Sequence, residues 1–365
     1  MRGCAVLMSA LASAVLAGGC SKEDESRAPV VSGDGKSVAV AKKSGEREFV
    51  VKDGARVGGT YDQVLGPVLS AGGESVAFGA RIDKDWVMIR DGVVVSKPLD
   101  RTAGPVFSPD GKSLAFIALS DKKWSIIKDG ARVGETYDNI RGVTFSPDSS
   151  SLVFMASEKG KSFLVRDGVR QAGEYEWADV PVFGRDGKSL VFVVGTAEGQ
   201  KLVKDGVPIT AVHKRIESWA VGPDGRSVAL LVESDTEYFL VKDGIAVGGR
   251  FPRFEQVTRP VFGPDGRTVA FAAAQEGRTW TVFRDGVQEG EEIEADVVTE
   301  LAFHPDGRSV VCVAQRRGQW YVLKDGRAVS EGFDMISNLR TDAGRKVVTF
   351  SALRGSKVTQ VEITE

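Results

Sequence analysis

Histidine and cysteine are scarce in this sequence of 365 residues, which contains two histidines and three cysteines. The cysteines are Cys4, Cys20 and Cys312. Neither histidine, His213 or His304, has a second His, Cys or carboxylate at the spacing of a zinc motif. The sequence therefore predicts no metal site, and we expect no other cofactor. It also offers no disulfide framework.

An excess of charge of one sign is also missing, since 48 Lys and Arg residues face 50 Asp and Glu residues. A general nucleic-acid binder would show a basic excess, so we expect no nucleic-acid partner. The recurring Asp-Gly-Lys-Ser stretches lack the glycine that a phosphate-binding loop needs five residues before its final glycine. For Gly111 that position holds Val106. We therefore expect no nucleotide partner either.

Long apolar runs are confined to the start of the chain. Residues 1–19 combine Arg2 with an apolar run from Cys4 to Val15 and then small residues, as a secretory signal peptide does. The ending LAGGC, which places Cys20 last, resembles the lipobox of bacterial lipoproteins. This resemblance implies acylation of Cys20 and insertion of the acyl chains into a lipid bilayer. Cleavage by an ordinary signal peptidase at a nearby small residue is the alternative.

A polar stretch, residues 20–29, follows this leader and is typical of a tether between an anchor and a folded domain. We therefore expect an exported protein that is lipid-anchored in a bacterial cell envelope. The sequence leaves open whether it faces the periplasm from the outer membrane or lies at the cell surface. We also expect a monomer.

Two turn motifs alternate along the rest of the chain. The first is typified by SPDGKSLAF at Ser108–Phe116, and its aligned turn positions are 38 residues apart five times and then 41, 41 and 37. These positions are Gly35, Gly73, Gly111, Ser149, Gly187, Gly225, Gly266, Gly307 and Gly344. The second motif is Asp-Gly after Lys or Arg, at residues 53–54, 91–92, 129–130, 167–168, 205–206, 243–244, 285–286 and 325–326. Such regular alternation indicates a repeated structural unit.

Each unit reads as four short strands. In the unit that begins at Gly104, GPVFS is an apolar strand and SPDG is a type I turn, in which Pro109 presets the backbone. The next strand, KSLAFIA, is apolar on both faces, which indicates burial from both sides. WSIIK and ARVGETY are the third and fourth strands, joined by Asp129-Gly130, a strong hairpin signal.

Repeated four-stranded units predict an all-β fold, a single β-propeller over residues 30–365. The repeat units span about 30–65, 66–103, 104–141, 142–179, 180–218, 219–258, 259–299, 300–337 and 338–365. We favour eight blades, with the two terminal pieces sharing one, and keep nine as the alternative. A solenoid of hairpins is the rival architecture, but it would need atypical capping units.

The phrase SPDGKSLAF and the strand that follows it resemble the PD-type, WD-like repeats of bacterial envelope propellers, including the TolB-like propellers. The resemblance covers nearly all of the chain after the leader. It implies the propeller fold but says little about function, because both binding proteins and enzymes have this fold.

The candidate binding residues come from departures in the repeat. Two segments after the sixth and seventh Asp-Gly pairs are longer than the others, which we interpret as extended crossings between blades on a variable loop face. Exposed aromatics beside arginine are enriched at interfaces, and acidic residues mark the second segment. The candidates are Arg250, Arg253, Phe254, Glu291 and Glu292, together with Trp177 and Trp219, which lie off the register of the other aromatics. The alternative is that two insertions drifted in solvated loops.

The sequence thus favours a membrane-tethered, non-catalytic binding or scaffold protein that recognises a protein, peptide or glycan. A propeller lyase or hydrolase with an axial active site is the first alternative. Such an enzyme would draw its acid and base from residues such as Asp179, Glu217 or Glu300. An envelope spacer without a ligand is the second alternative.

Overall fold

The computed structural model describes residues 29–184, 187–235, 237–252, 254–274, 277–342, 344–355 and 357–364. Within these ranges the chain consists of strands, turns and bends, and contains no helix. Accordingly, no helix of the described part is long and apolar enough to span a membrane. The leader, the tether up to Ala28 and the lipidation candidate Cys20 lie outside the described residues.

The strands form nine antiparallel sheets, numbered here in chain order. Sheet 1 contains β1 (Val30–Val31), β2 (Val38–Ser44), β3 (Arg47–Lys52) and β4 (Ala55–Tyr61). Sheet 2 contains β5 (Gln63–Val64), β6 (Val68–Leu69), β7 (Val76–Ile82), β8 (Asp85–Arg90) and β9 (Val93–Val94). Sheet 3 contains β10 (Arg101–Phe107), β11 (Leu114–Ser120), β12 (Lys123–Lys128) and β13 (Ala131–Tyr137).

The next three sheets repeat this pattern. Sheet 4 contains β14 (Asn139–Phe145), β15 (Leu152–Glu158), β16 (Lys161–Arg166) and β17 (Val169–Arg170). Sheet 5 contains β18 (Trp177–Ala178), β19 (Val182–Phe183), β20 (Leu190–Thr196), β21 (Gly199–Lys204) and β22 (Val207–Pro208). Sheet 6 contains β23 (Arg215–Val221), β24 (Val228–Glu233), β25 (Glu237–Lys242) and β26 (Ile245–Pro252).

The last three sheets complete the described chain. Sheet 7 contains β27 (Gln256–Val257), β28 (Val261–Phe262), β29 (Val269–Ala274), β30 (Thr279–Arg284) and β31 (Val287–Glu294). Sheet 8 contains β32 (Val297–Phe303), β33 (Val310–Arg316), β34 (Gln319–Lys324) and β35 (Arg327–Ala328). Sheet 9 contains β36 (Met335–Asp342), β37 (Val347–Arg354) and β38 (Lys357–Thr364).

The order of strands within each sheet follows the chain, as predicted for propeller blades. Sheets 2, 5 and 7 have five strands only because their first strand is interrupted and both pieces pair with the second strand. Among the described strands, Val30–Val31 pairs inside sheet 1 and not with sheet 9. The described strands therefore form nine sheets, which agrees with the alternative of nine blades.

The described chain divides into two compact units. The first comprises the residues up to Lys122 together with Ile126–Arg132, and the second comprises Lys123–Ser125 and the residues from Val133 onward. Sheets 1 and 2 belong to the first unit, and sheets 4 to 9 belong to the second. The boundary falls within sheet 3.

The Asp-Gly pairs form the hairpin turns that the sequence predicts. At all eight pairs both residues have positive φ, for example 49° at Asp53 and 81° at Gly54, as a type I′ turn requires. Each Asp also accepts a hydrogen bond from the first backbone N–H of the second strand, at 2.7 to 3.0 Å. This bond joins the third-to-fourth turn to the neighbouring turn of the same sheet, which explains why the motif recurs.

In sheets 1 to 8 the first-to-second turns are closed by a backbone bond from the N–H of the turn glycine to the carbonyl three residues earlier, for example Gly111 to Ser108 at 2.8 Å. The turn glycine of these sheets has positive φ, and Ser149, which replaces it in sheet 4, keeps φ at 64°. The turn Asp accepts backbone N–H bonds from inside the turn, as Asp148 does from Ser150 at 3.0 Å.

The core lies between successive sheets, because the second strands are buried on both faces, as predicted. The cluster between sheets 6 and 7 shows this, since Tyr238 and Leu240 of sheet 6 belong to one buried cluster with Phe271 and Phe283 of sheet 7. The two phenylalanine rings stack with centroids 5.0 Å apart. Burial of each such side chain contributes about 1.5–3 kcal/mol. Similar clusters join sheets 4 and 5, 5 and 6, 7 and 8, and 8 and 9 of the second unit.

Fourth strands come in two lengths. In sheets 1, 3, 6 and 7 they have seven or eight residues and contain a glycine of positive φ, namely Gly58, Gly134, Gly248 or Gly290. In sheets 1, 6 and 7 the pairing register shifts at this glycine, as in a β-bulge. In sheets 2, 4, 5 and 8 they have two residues. Beyond three of these short strands, in sheets 2, 5 and 8, a Ser or Thr hydroxyl accepts a hydrogen bond from a backbone N–H of the third strand. In sheet 2, for example, the Ser96 hydroxyl accepts from the Met88 N–H at 2.9 Å.

Candidate functional site

Of the basic-aromatic candidates, Arg250 lies on a strand and not in a crossing loop as expected, whereas Phe254 lies in the connection between β26 and β27. Arg250 lies within β26, paired in register with Phe239. Its guanidinium lies over the Phe239 ring at 4.8 Å and 3.5 Å from a Glu237 carboxylate oxygen. Arg250 is exposed and could still contact a partner, but it is held on a strand surface.

Phe254 was expected to be exposed beside this arginine, and that expectation is wrong. Phe254 is 6% exposed and packs with Tyr238, Phe251, Phe271 and Phe283 between sheets 6 and 7. Strand β26 extends to Pro252 and places Phe251 in the core, and Phe254, just beyond the end of the strand, packs into the same cluster. Arg253 lies outside the described residues.

The acidic candidates Glu291 and Glu292 also lie on a strand, β31, and not on a crossing. Both are exposed. Strand β31 reads VQEGEEIE and carries four glutamates without a basic residue. The corresponding long strands read ARVGGTY, ARVGETY and IAVGGRFP, with at most one acidic residue each. The acidic character is therefore a property of sheet 7 alone among the long fourth strands.

Trp177 and Trp219 are half-buried against the same cluster, between sheets 5 and 6. Trp177 pairs with Gly195, and its indole covers the space that a side chain at Gly195 would occupy. Trp219 pairs with Leu230. The structure thus places both tryptophans on first strands of neighbouring sheets, in a packing role that leaves part of each ring accessible.

The junction between sheets 6 and 7 shows how a long fourth strand meets the next sheet. A Cβ atom on Gly248 would lie 2.5 Å from the Cα of Gly286, so only glycine backbone fits there. The Gly249 N–H donates to the Gly286 carbonyl at 3.1 Å. Val247, next to this contact, packs against the core between the two sheets. The junction is closed by backbone contact and one apolar side chain.

The junction between sheets 7 and 8 has a long fourth strand of the same type but remains open. A Cβ atom on Gly290, the counterpart of Gly248, would meet no atom within 4 Å. A cleft of about 400 Å³ lies here. Its lining residues are Val282, Arg284, Glu289, Gly290, Glu291, Ile293, Arg308, Ser309, Val310, Cys312, Asp325 and Gly326.

Glu289 is the residue that distinguishes this junction. The residue four positions after the Asp of each Asp-Gly pair is apolar in six of the eight units. In chain order these residues are Val57, Val95, Val133, Gln171, Ile209, Val247, Glu289 and Val329. At the other long strands this residue is valine, and Val57 and Val247 pack into the core between sheets. A carboxylate cannot be buried there without a large desolvation cost, so the Glu289 side chain stays about half exposed, beside Arg284, and does not fill the apolar space.

The chemistry of the cleft is an apolar floor beneath charged walls. Val282, Ile293, Val310 and Cys312 are each at most 8% exposed. Burial raises the pKa of the Cys312 thiol to about 12, so this cysteine is an inert part of the floor. Cys312 forms no disulfide with any other described residue.

The charged groups of the cleft differ in how firmly they are paired. Arg284 Nε lies 2.5 Å from a Glu289 carboxylate oxygen, and its guanidinium also donates to the Arg308 carbonyl. Glu291 is paired only loosely, with 4.0 Å between its carboxylate and Arg327, and both side chains are more than 80% exposed, at 81% and 83%. A ligand that enters the cleft can therefore compete for Glu291 at little cost.

The acidic residues considered for catalysis lie in three different sheets. Glu217 of sheet 6 forms an ion pair with Arg215 at 3.0 Å. Asp179 of sheet 5 accepts the N–H of its neighbour Val180 at 2.7 Å. Glu300 of sheet 8 has φ of 43° and accepts the Leu339 N–H of sheet 9 at 2.7 Å. Burial raises the pKa of Glu300, although this bond opposes the shift.

No group of three or more His, Cys, Asp or Glu side chains is arranged to hold a metal ion in the described ranges. His304 is buried at the start of the sheet 8 turn, and its Nδ1 lies 2.9 Å from Asp306. It occupies the position where Ser32, Ser70, Ser108 and Ser146 begin other turns. Its place is therefore that of a turn residue.

Comparisons with known proteins bear on the fold. No protein-family model and no curated protein matches the sequence. The structure is similar to that of a eukaryotic initiation factor, with a TM-score of 0.51 and 11% identity over 95% of this chain and 90% of the other. The Dos1 propeller matches with a TM-score of 0.47 and 12% identity, over 83% of this chain and 90% of its own. TolB from Acinetobacter baumannii matches with a TM-score of 0.34 and 17% identity, over 68% and 73%.

At these identities the similarity concerns the fold alone. The order of strands in each sheet makes this an all-β protein of the β-propeller class with four-stranded blades, as the repeats predict. The cleft between sheets 7 and 8 is therefore a local departure from a repeated blade. Glu289 belongs to the acidic segment that the sequence already marks, and the valine at its position in the other long strands shows that it is unusual. Arg284 and Arg308 carry no such signal in the sequence.

Proposed function

We propose that this protein is a membrane-tethered, non-catalytic binding or scaffold propeller of a bacterial cell envelope. It recognises a protein, peptide or glycan and acts as a monomer. The leader and the LAGGC sequence support export and acylation of Cys20. The repeat phrases support kinship with the PD-type envelope propellers.

The single observation that carries the binding role is the cleft between sheets 7 and 8. Its volume of about 400 Å³ is within the range of ligand sites, and its apolar floor with a few charged groups is the usual composition of such sites. The cleft lies beside the two turns of sheet 8, at Arg308–Ser309 and Asp325–Gly326. Binding is thus proposed at the turn end of the sheets, and not at the variable loops favoured by the sequence.

A non-catalytic role is supported by the partners of the acidic residues named above. Glu217 is paired with an arginine and Glu300 with a main-chain N–H. A general acid or base of an enzyme would have to be released from these partners to reach a substrate.

The proposed function is tested by recovery of partners from native membranes. The acylated full-length protein is used as bait and compared with the Cys20→Ser form, and each recovered candidate is then tested for direct binding by calorimetry. We expect the wild type to fractionate with membranes and to bind at least one candidate directly. A Cys20→Ser protein that stays with the membranes would contradict the tether, and failure of every candidate to rebind would contradict the binding role.

A further inference from the structure

We propose that the cleft between sheets 7 and 8 binds a lysine or arginine side chain of an extended basic peptide segment. This inference rests on the proposed binding function and names the chemistry of its ligand. The shape, the floor and the charge of the cleft each limit what can enter it.

The floor of the cleft suits a long side chain with an apolar stem. Ile293 and Val310 are 1% and 4% exposed and lie at the bottom of the cleft, beside Cys312 and Val282. Lysine and arginine place their methylene groups along such apolar surface and keep the charged head in a polar region. A purely polar ligand would leave this floor without a contact.

The charge of the cleft selects a cation. Three of its lining residues are acidic, Glu289, Glu291 and Asp325, and two are basic, Arg284 and Arg308. Arg284 is occupied by Glu289 and by the Arg308 carbonyl. Glu292 and Glu294 add further negative charge on the same strand. On the basic side, Arg308 lines the cleft, Arg327 pairs with Glu291, and Arg316 donates to the Gly326 carbonyl. These five acidic and four basic groups leave one net negative charge, which favours basic segments.

Glu291 is the carboxylate that the bound cation would contact. Glu289 is neutralised by Arg284, and Asp325 accepts the Val310 N–H at 2.8 Å within the hairpin. Glu291, in contrast, is 81% exposed and 4.0 Å from Arg327. An incoming lysine or arginine would replace Arg327 as its partner. Specificity then depends on the floor, since an exposed ion pair alone contributes little.

The proposal is tested by fluorescence anisotropy with the full-length protein in detergent and a fluorescein-labelled peptide, Ser-Lys-Val-Lys-Ser. The variants are Glu291→Gln, which removes the carboxylate, and Glu289→Val, which restores the repeat residue and fills the cleft. Glu135→Gln removes an exposed carboxylate from the matching strand of sheet 3 and serves as the control. Circular dichroism confirms that all variants are folded.

We expect saturable binding to one site at about 0.15 M salt, where surface attraction is largely screened. Glu291→Gln and Glu289→Val should each weaken binding about tenfold or more, whereas Glu135→Gln should leave it unchanged. Arg327→Gln should strengthen it by removing the competing cation. Equal binding by all variants, no binding, or preference for the peptide with glutamate in place of lysine would overturn the proposal.

These outcomes are separable from the fate of the proposed function. If partners from native membranes bind wild type and Glu289→Val equally, the protein is a binding propeller but the cleft is not its site. If no partner binds directly and the lysine peptide still binds in a Glu291-dependent manner, the cleft chemistry stands without the proposed cellular role.

Discussion

The junctions between sheets 6 and 7 and between sheets 7 and 8 use the same type of strand to opposite effect. In the first, Val247 packs into the core and Gly248 touches the backbone of Gly286. In the second, Glu289 and Gly290 occupy the same repeat positions, and the space is an open cleft. One side chain in the repeat thus distinguishes a junction that is closed from one that contains a cleft.

The largest expected effect comes from adding a methyl group at the closed junction. Gly248→Ala places a Cβ at 2.5 Å from the Gly286 Cα and at φ of 72°, so both a clash and a left-handed backbone destabilise it. We expect a loss of about 2–4 kcal/mol in the free energy of unfolding. Gly290→Ala has a similar φ of 77° but open space, and should lose only about 1–2 kcal/mol. Urea unfolding measures both, and equal losses would contradict the difference between the junctions.

The exchange of the distinguishing side chain is expected to have the next largest effect. Val247→Glu removes a half-buried apolar side chain and places a carboxylate beside the core, and should destabilise by about 1–2 kcal/mol. Glu289→Val should instead stabilise by about 0.5–1 kcal/mol, because it covers the floor of the cleft. The same urea titration checks both variants. A destabilised Glu289→Val protein would show that the cleft is maintained by something other than this residue.

Acid should weaken the first-to-second turns of sheets 7 and 8. Bonds from the Thr268 and Arg267 N–H groups lower the pKa of Asp265 in sheet 7. In sheet 8, burial raises the pKa of Asp306, but hydrogen bonds from the Ser309 and Arg308 N–H groups have the larger combined effect. The pKa of Asp306 is therefore also lowered from 3.8. Carboxylates with a depressed folded pKa contribute stability above about pH 4, which is lost as the pH falls through the folded value.

This pH dependence gives the third prediction. The free energy of unfolding should decrease as the pH falls from about 4 to about 2. The lower limit is set by Asp148 in the corresponding turn of sheet 4, because hydrogen bonds from the Ser146 hydroxyl and the Ser150 N–H lower its pKa to about 2. Asp306→Asn and Asp265→Asn should each flatten this decrease, because the amide does not titrate. Urea unfolding at several pH values measures it, and a wild-type stability that rises as the pH falls in this window would contradict the assignment.

The smallest expected effect on stability is that of Glu291→Gln. Its ion pair with Arg327 spans 4.0 Å between exposed side chains, so its loss should change the free energy of unfolding by less than about 0.5 kcal/mol. The variant therefore separates binding from folding. A large loss of stability would mean that Glu291 supports the junction, and would weaken its role as the ligand contact.

The sequence predicted the turns and the buried strands because their signals are local. Asp53-Gly54 and its seven counterparts show the positive φ values that the dipeptide implies, and Phe116 and its neighbours are buried on both faces. It failed at Phe254, since the length of a segment does not tell whether the extra residues extend a strand or form a loop. The cleft was missed because its walls come from two sheets, whose contact depends on packing that no single repeat encodes.

The most direct test of this account is a crystal structure of the Glu289→Val variant. We predict that the introduced valine lies beside Gly326 and that the cleft is closed. The model for this contact is Val133, whose methyl group lies 3.4 Å from the position that a Cβ atom on Gly168 would occupy. A cleft that keeps its volume of about 400 Å³ in the variant would contradict the claim that this one residue opens it.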